Sequence, residues 1–274
     1  MATMTEPPSF VPRTPDARVG GLLDRDYLGF TQSAGTAQRW LDTPVPSVTV
    51  ILNVGAPFGG YPRSFVTGLA DRGGVVDQVG AIECVELKLT PLGAYRLLGV
   101  PMADLANQIV DLDDILDAHG LAGRLAETPG WDRRFDLVDR FLLDRADRGP
   151  VPAGEVSWAW RRLLDTQGAI PIGALADEVG WSRRHLVTRF RQQVGLPPKT
   201  VARIVRFRHL LDRLTAHGPV AWPRLAVECG YYDQAHMNRD FREFAGITPT
   251  EYLARLTPVA LEVTSVQFTW VPAA

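Results

Sequence analysis

In the N-terminal third of the chain, apolar and polar residues alternate in part over residues 47–54 and 83–90, and again over the shorter stretch 63–68. A period of two in β-branched sequence predicts half-buried strands. The Gly- and Pro-rich gaps at 55–62 and 72–74 separate them. Together they predict a small β-sheet or partial barrel with an apolar interior. Pro91 changes the period. Proline suits the first turn of a helix, and Ala94, Leu97 and Leu98 follow at helical spacing. Short helices are expected over 102–107 and 113–117, then a longer one through the stripe Phe135, Val138, Phe141 and Leu142. Residues 148–152 (Arg-Gly-Pro-Val-Pro) break the pattern and read as a linker. A helix over 155–167 follows and ends before Gly168, a suitable C-cap.

Beyond residue 170 the pattern is helical and repeats itself. Leu175, Ala176, Gly180, His185, Leu186, Phe190 and Gly195 have counterparts in Leu225, Ala226, Gly230, His236, Met237, Phe241 and Gly246. The offset is 50 residues up to the turn glycine and 51 after it, so the second turn has gained one residue. A glycine that ends one helix, an N-cap (Ser182, Asp233), and a buried pair four apart describe a helix–turn–helix unit. Two units are expected, over 170–195 and 222–246, joined by a helix over about 199–214. Arg183, Arg184, Val187, Thr188 and Arg191 then face outward from the second helix of the first unit. Gln234, Ala235, Asn238, Arg239 and Arg242 do so in the second. Arginine can bond guanine O6 and N7, and Gln or Asn can bond adenine N6 and N7. His185 and His236, beside the buried pairs, are read as structural hydrogen-bonding groups.

Charge sharpens this picture. The whole chain is at −2, yet residues 168–257 carry 13 Lys and Arg against 8 Asp and Glu, a net of +5, and the remainder is at −7. Such asymmetry is expected when one part of a chain meets phosphate. With 46% hydrophobic residues in a chain of 274, there is material for ample cores. No apolar run is long enough to span a bilayer, and the first fifteen residues lack the apolar segment of a secretory signal. Cys84 and Cys229, far apart, suit free thiols in a reducing cytoplasm.

The segment 230–249 (GYYDQAHMNRDFREFAGITP), with Pro198, Lys199, Thr200, Ala202 and Arg203 before it, closely resembles the signature of AraC/XylS-type transcription regulators. The resemblance covers residues 155–255. It implies an all-α domain in which two recognition helices enter successive major grooves of double-stranded DNA. The family's base-reading positions fall on Arg184, Val187 and Thr188, and on Gln234, Ala235, Asn238 and Arg239. Val187 departs from the polar residue often found there and offers only an apolar contact. Phosphate contacts are expected from Arg183, Arg191, Lys199, Arg203, Arg206 and Arg242. Residues 86–101 and the acidic run 111–114 resemble the N-terminal domain of an actinobacterial-type branch of the same family. That likeness implies a cupin-like unit that senses a ligand or dimerises.

The fold class expected is therefore α+β: a disordered segment 1–18, a sensor or dimerisation domain 19–150, the DNA-binding domain 155–255, and a tail 256–274 with no derivable role. The β region has no histidine, which argues against a cupin metal site, and one cysteine cannot build a zinc thiolate site. No cofactor, metal or catalytic residue is assigned. Cys84 is read as a small buried strand residue rather than a redox sensor, and Trp40, Phe58, Tyr61 and Phe65 as core rather than an effector pocket. Expected partners are double-stranded DNA, a small-molecule effector, RNA polymerase and a second copy of the chain, with no membrane. The rival readings are a small-molecule enzyme with an appended DNA-binding domain and a non-specific architectural protein. Both are disfavoured, by the lack of clustered catalytic groups and by the modest charge.

Overall fold

The computed structural model describes residues 9–33, 38–55, 60–78, 80–116, 119–214, 220–255 and 271–272. The chain opens with strand β1 (Ser9–Arg13), a short helix α1 (Ala17–Gly20) and strands β2 (Tyr27–Gln32), β3 (Gln38–Asp42), β4 (Val48–Asn53), β5 (Phe65–Thr67), β6 (Gly74–Gln78) and β7 (Ile82–Leu89). Strand β8 (Ile109–Asp111) lies among the helices that follow, and β9 (Val271–Pro272) ends the described chain. Six strands form one antiparallel sheet in the order β1-β2-β7-β4-β5-β8, and three form a second, β6-β3-β9.

The alternation seen in sequence sets the two faces of the larger sheet. Val48, Val50, Leu52, Val85, Leu87 and Leu89 point into the main core. Ile51, Phe65, Ile82 and Cys84 form a smaller cluster that Phe30 and Tyr61 flank. Cys84 is buried, and burial pushes its thiol well above the usual range, so it behaves as a small apolar side chain. Tyr61 stacks on Phe65 at 5.3 Å. Phe58 lies outside the described residues, as does the side chain of Trp40.

Helix α2 (Pro91–Leu98) starts at the proline, capped by Thr90, and ends at Gly99 in the left-handed conformation. Helices α3 (His119–Glu127) and α4 (Trp131–Arg148) cover the main face of the sheet. Phe135, Val138, Leu142 and Ala146 are the buried stripe of α4, while Phe141 of the expected stripe is half-buried. Trp131 lies over Gly29, where a Cβ would sit 2.6 Å from the indole, so the β2 position must lack a side chain. Arg134 is buried and closes the α3–α4 turn by donating from Nε to the carbonyls of Leu125 and Thr128.

Three expectations are corrected. The N-terminal segment expected to be disordered is ordered from residue 9. β1 pairs along β2, and its Pro12 is tolerated because an edge strand has amide positions that need no partner. The short helices expected at 102–107 and 113–117 are single 3₁₀ turns, Met102–Asp104 and Leu112–Asp114. Asn107, at φ 61°, and strand β8 end the first of them. The break at 148–152 is a packed connection rather than a loose linker. A Cβ on Gly149 would come within 1.7 Å of the Arg96 carbonyl, and the Ala153 amide donates to Gln193. The tail is outside the described residues over 256–270, but Val271 and Pro272 pair with Leu41 and Trp40 of β3.

The rest of the chain is helical: α5 (Gly154–Asp165), α6 (Ile172–Glu178), α7 (Arg183–Val194), α8 (Pro198–Leu214), α9 (Trp222–Glu228), α10 (Gln234–Ala245) and α11 (Pro249–Arg255). Val201, Ile204, Val205, Phe207, Leu210, Leu211 and Leu214 make α8 a buried strut. Its core is continuous with that of the N-terminal half. No helix among the described residues is long and apolar enough to cross a membrane.

Candidate nucleic-acid interface

Each turn is built as its sequence dictates. Gly180 and Gly230 adopt φ of 69° and 77°, a conformation that costs glycine little. The amide of the next residue donates back across the turn, Trp181 to Ala176 O at 3.0 Å and Tyr231 to Ala226 O at 2.9 Å. Ser182 then caps α7 by accepting from the His185 amide, and Asp233 caps α10 by accepting from that of His236. The histidines brace the turns. His185 meets Trp181 edge-on at 4.5 Å, and His236 meets Tyr231 at 5.3 Å.

The buried side of α7 consists of Leu186, Phe190, Gln193 and Val194, and that of α10 of Met237, Asp240, Phe241, Phe244 and Ala245. On the opposite side, Arg184 and Thr188 are exposed and Val187 is half-buried between them. The Thr188 hydroxyl donates to the Arg184 carbonyl at 3.0 Å, which leaves only its lone pairs to face outward. Ala235 and Arg239 are exposed and Gln234 and Asn238 half-buried on α10. The two helices are carried by α8, whose 17 residues span about 25 Å.

The arginines fall into two sets. Arg183, Arg184, Arg191, Lys199, Arg239 and Arg242 are exposed, and among the described residues none of them is within ion-pair distance of a carboxylate, although Arg242 lies near enough to Glu251 to feel its charge. Arg203 and Arg206, expected on phosphate, are engaged inside the domain. Arg203 binds Asp240 at 2.8 Å and Glu243 at 2.5 Å, with its guanidinium over the Phe244 ring. It ties α8 to α10, and these bonds hold its pKa above the ordinary value. Arg206 donates to the Gly168 carbonyl and lies over Tyr231. Gly168 itself, at φ 75°, is where the turn before α6 meets α8, since a Cβ there would be 2.1 Å from the Ala202 carbonyl.

A similar ion pair ties each helix–turn–helix unit to the helix before it. Arg162 of α5 binds Glu178 at the end of α6, and Arg213 of α8 binds Glu228 at the end of α9. The bonds from Arg162 and then Trp158 hold the Glu178 carboxyl below its usual range, and those from Arg224 and Arg213 do the same for Glu228. A lowered folded-state pKa contributes stability that is complete above the usual glutamate value of about 4.3 and fades as pH falls through the lowered one. The double variant Glu178→Gln, Glu228→Gln should therefore show a thermal midpoint that falls less than that of the wild type between about pH 6 and about pH 3. Equal slopes would mean that neither pair helps to hold the fold.

Helices α7 and α10, each the second helix of a helix–turn–helix and both carried on α8, make this a tandem helix–turn–helix domain. Residues 175–255 match the family described as "Helix-turn-helix domain", and this part of the chain is a helix–turn–helix domain of the AraC type. The protein is accordingly a DNA-binding transcription regulator. No curated protein matches the chain in sequence. Among solved structures it is similar to ToxT from Vibrio cholerae O395, with 10% identity, 85% of this chain and 98% of that chain covered, and a TM-score of 0.45. A second is unsaturated fatty acid bound ToxT from Vibrio cholerae strain SCE256, at 12% identity, 94% and 98% coverage and a TM-score of 0.40. A third is an AraC-type regulator from Chromobacterium violaceum, at 22% identity, 38% and 93% coverage and a TM-score of 0.35.

Among the described residues, no group of three His, Cys, Asp or Glu side chains is placed to hold a metal ion. A cleft of about 410 Å³ opens between the start of the chain and α4. Its charged lining is largely paired within itself, as in Arg13–Asp136 and Arg18–Asp16.

Proposed function

We propose that the chain reads a two-part operator in the cytoplasm, α7 and α10 entering successive major grooves on one face of double-stranded DNA. The observation that carries this reading is the sorting of cations. The arginines facing neighbouring helices are bound to carboxylates or carbonyls, while those on the reading faces have no such partner. An exposed cation with no partner in the protein is available to phosphate or a base edge. Arg184, Val187 and Thr188 would read one contact block, and Gln234, Ala235, Asn238 and Arg239 the other. Arg183, Arg191, Lys199 and Arg242 would bind phosphate.

The N-terminal half would act as a sensor or dimerisation unit rather than an enzyme, responding to a small-molecule effector or a second copy, with RNA polymerase as a further partner. Its contact with the first reader supports this. The Met102–Asp104 turn and α2 pack against α7, with the Met102 carbonyl against Gly195 at the end of that helix. Helix α2 is in turn fixed to α4 by Arg96, which donates to Ala146 O, and Arg145, which donates to Leu97 O. Movement in the N-terminal half therefore has a rigid route to α7.

Footprinting of the purified protein on a duplex selected from a randomised pool should show two contact blocks about one helical turn, 10–10.5 bp, apart. Arg239→Ala should weaken that binding by about 1–3 kcal/mol and relax base preference in one block only. A single short block per protomer, or equal losses for Arg239→Ala on selected and random DNA, would overturn the assignment.

A further inference from the structure

The second turn holds one residue more than the first. Between Gly180 and the cap Ser182 stands only Trp181, whereas Tyr231 and Tyr232 stand between Gly230 and the cap Asp233. Tyr231 is the counterpart of Trp181, since both amides close the turn and both rings meet the following histidine edge-on. Tyr232 is therefore the inserted residue. At 88% exposure it is the most exposed large apolar side chain among the described residues.

Its backbone is nevertheless held. The Tyr232 amide donates to His236 Nδ1 at 3.4 Å, which ties the turn to the first turn of α10. The neighbouring Asp233 carboxylate is occupied by the His236 amide at 2.7 Å, so its charge is directed at the helix terminus. Tyr232 thus stands in solvent beside Gln234 and Ala235, at the end of α10 that a recognition helix presents to the groove. Residues just before such a helix lie at the groove edge, where the phosphates run, and tyrosine hydroxyls are among the groups that contact them.

We propose that Tyr232 is a DNA-backbone contact: its phenol hydroxyl donates to a phosphate oxygen at the edge of the groove read by α10, and its ring lies on the adjoining deoxyribose. The inference rests on the DNA-reading function proposed above. It gives the second unit a clamp that the first, one residue shorter in the turn, lacks.

The test measures binding of the full chain to the duplex selected by the wild type and to a random duplex of equal length, over a range of salt. Tyr232→Phe should bind both about tenfold more weakly, the size of one hydrogen bond to a charged acceptor. Tyr232→Ala should be weaker still, and both variants should keep the wild-type thermal midpoint. The slope of log K against log salt should not change, because a neutral hydroxyl displaces no counterion. Wild-type affinity in Tyr232→Phe overturns the hydrogen bond, and a loss confined to the selected duplex overturns the backbone assignment. If the wild type binds neither duplex, the DNA-reading function itself falls, an outcome distinct from failure of this contact alone.

Discussion

Truncation of Phe207 to alanine is expected to cost about 3–5 kcal/mol of stability, the range for deleting a buried aromatic ring and leaving a cavity. Phe207 is fully buried at the middle of α8. Its ring meets Phe241 and Phe244 of α10, each at 5.2 Å between centroids, and Phe241 continues the contact to Tyr252 of α11 at 5.4 Å. One side chain therefore seats α10 on the strut. Against a total stability of about 5–15 kcal/mol, the loss is enough to populate the unfolded state near growth temperature. Urea denaturation followed by tryptophan fluorescence gives the number, and Phe207→Leu should lose far less. A Phe207→Ala midpoint within about 1 kcal/mol of the wild type would mean that α10 is held by something other than this aromatic cluster.

Arg203→Ala should unfold the protein more readily rather than simply weaken its grip on DNA. The guanidinium satisfies Asp240, whose side chain is only 6% exposed, and reaches Glu243 as well. Removal leaves a buried carboxylate without its counter-charge, which costs about 3–5 kcal/mol for a fully buried pair. Because Arg203 is itself 27% exposed, about 2–3 kcal/mol is expected after solvent screening. Lysine should not rescue the loss, since one ammonium cannot bridge two carboxylates as the planar fork does. The alternative role predicts the reverse: a phosphate contact would leave the thermal midpoint unchanged and flatten the salt slope by about one.

Arg203 also shows where reading the chain alone stops. Its place on the central helix is legible from the helical period, and so is its charge. Whether that charge meets DNA or Asp240, 37 residues further on, depends on how α10 settles against α8, and nothing local to Arg203 encodes that. Strand β1 was hidden for a related reason. A Pro-containing segment has little intrinsic preference for a strand, and it becomes one because β2 presents an edge to it. Gly29 in β2 makes sense only once Trp131, about a hundred residues away in sequence, is laid across it.

The repeated units themselves were written in the residues. Gly180 and Gly230 at the turns, Ser182 and Asp233 at the caps and the buried pairs four apart each act within one or two helical turns, so their effect survives in any context. Tertiary structure decided what those units are joined to: which arginines are occupied by carboxylates, how α2 rests on α7, and that Val271 pairs beside Leu41. Short-range preferences are summed along the chain and can be read there. The partnership of charges and edges is settled only when distant segments are brought together, because a desolvated group takes whichever partner the packing places within reach.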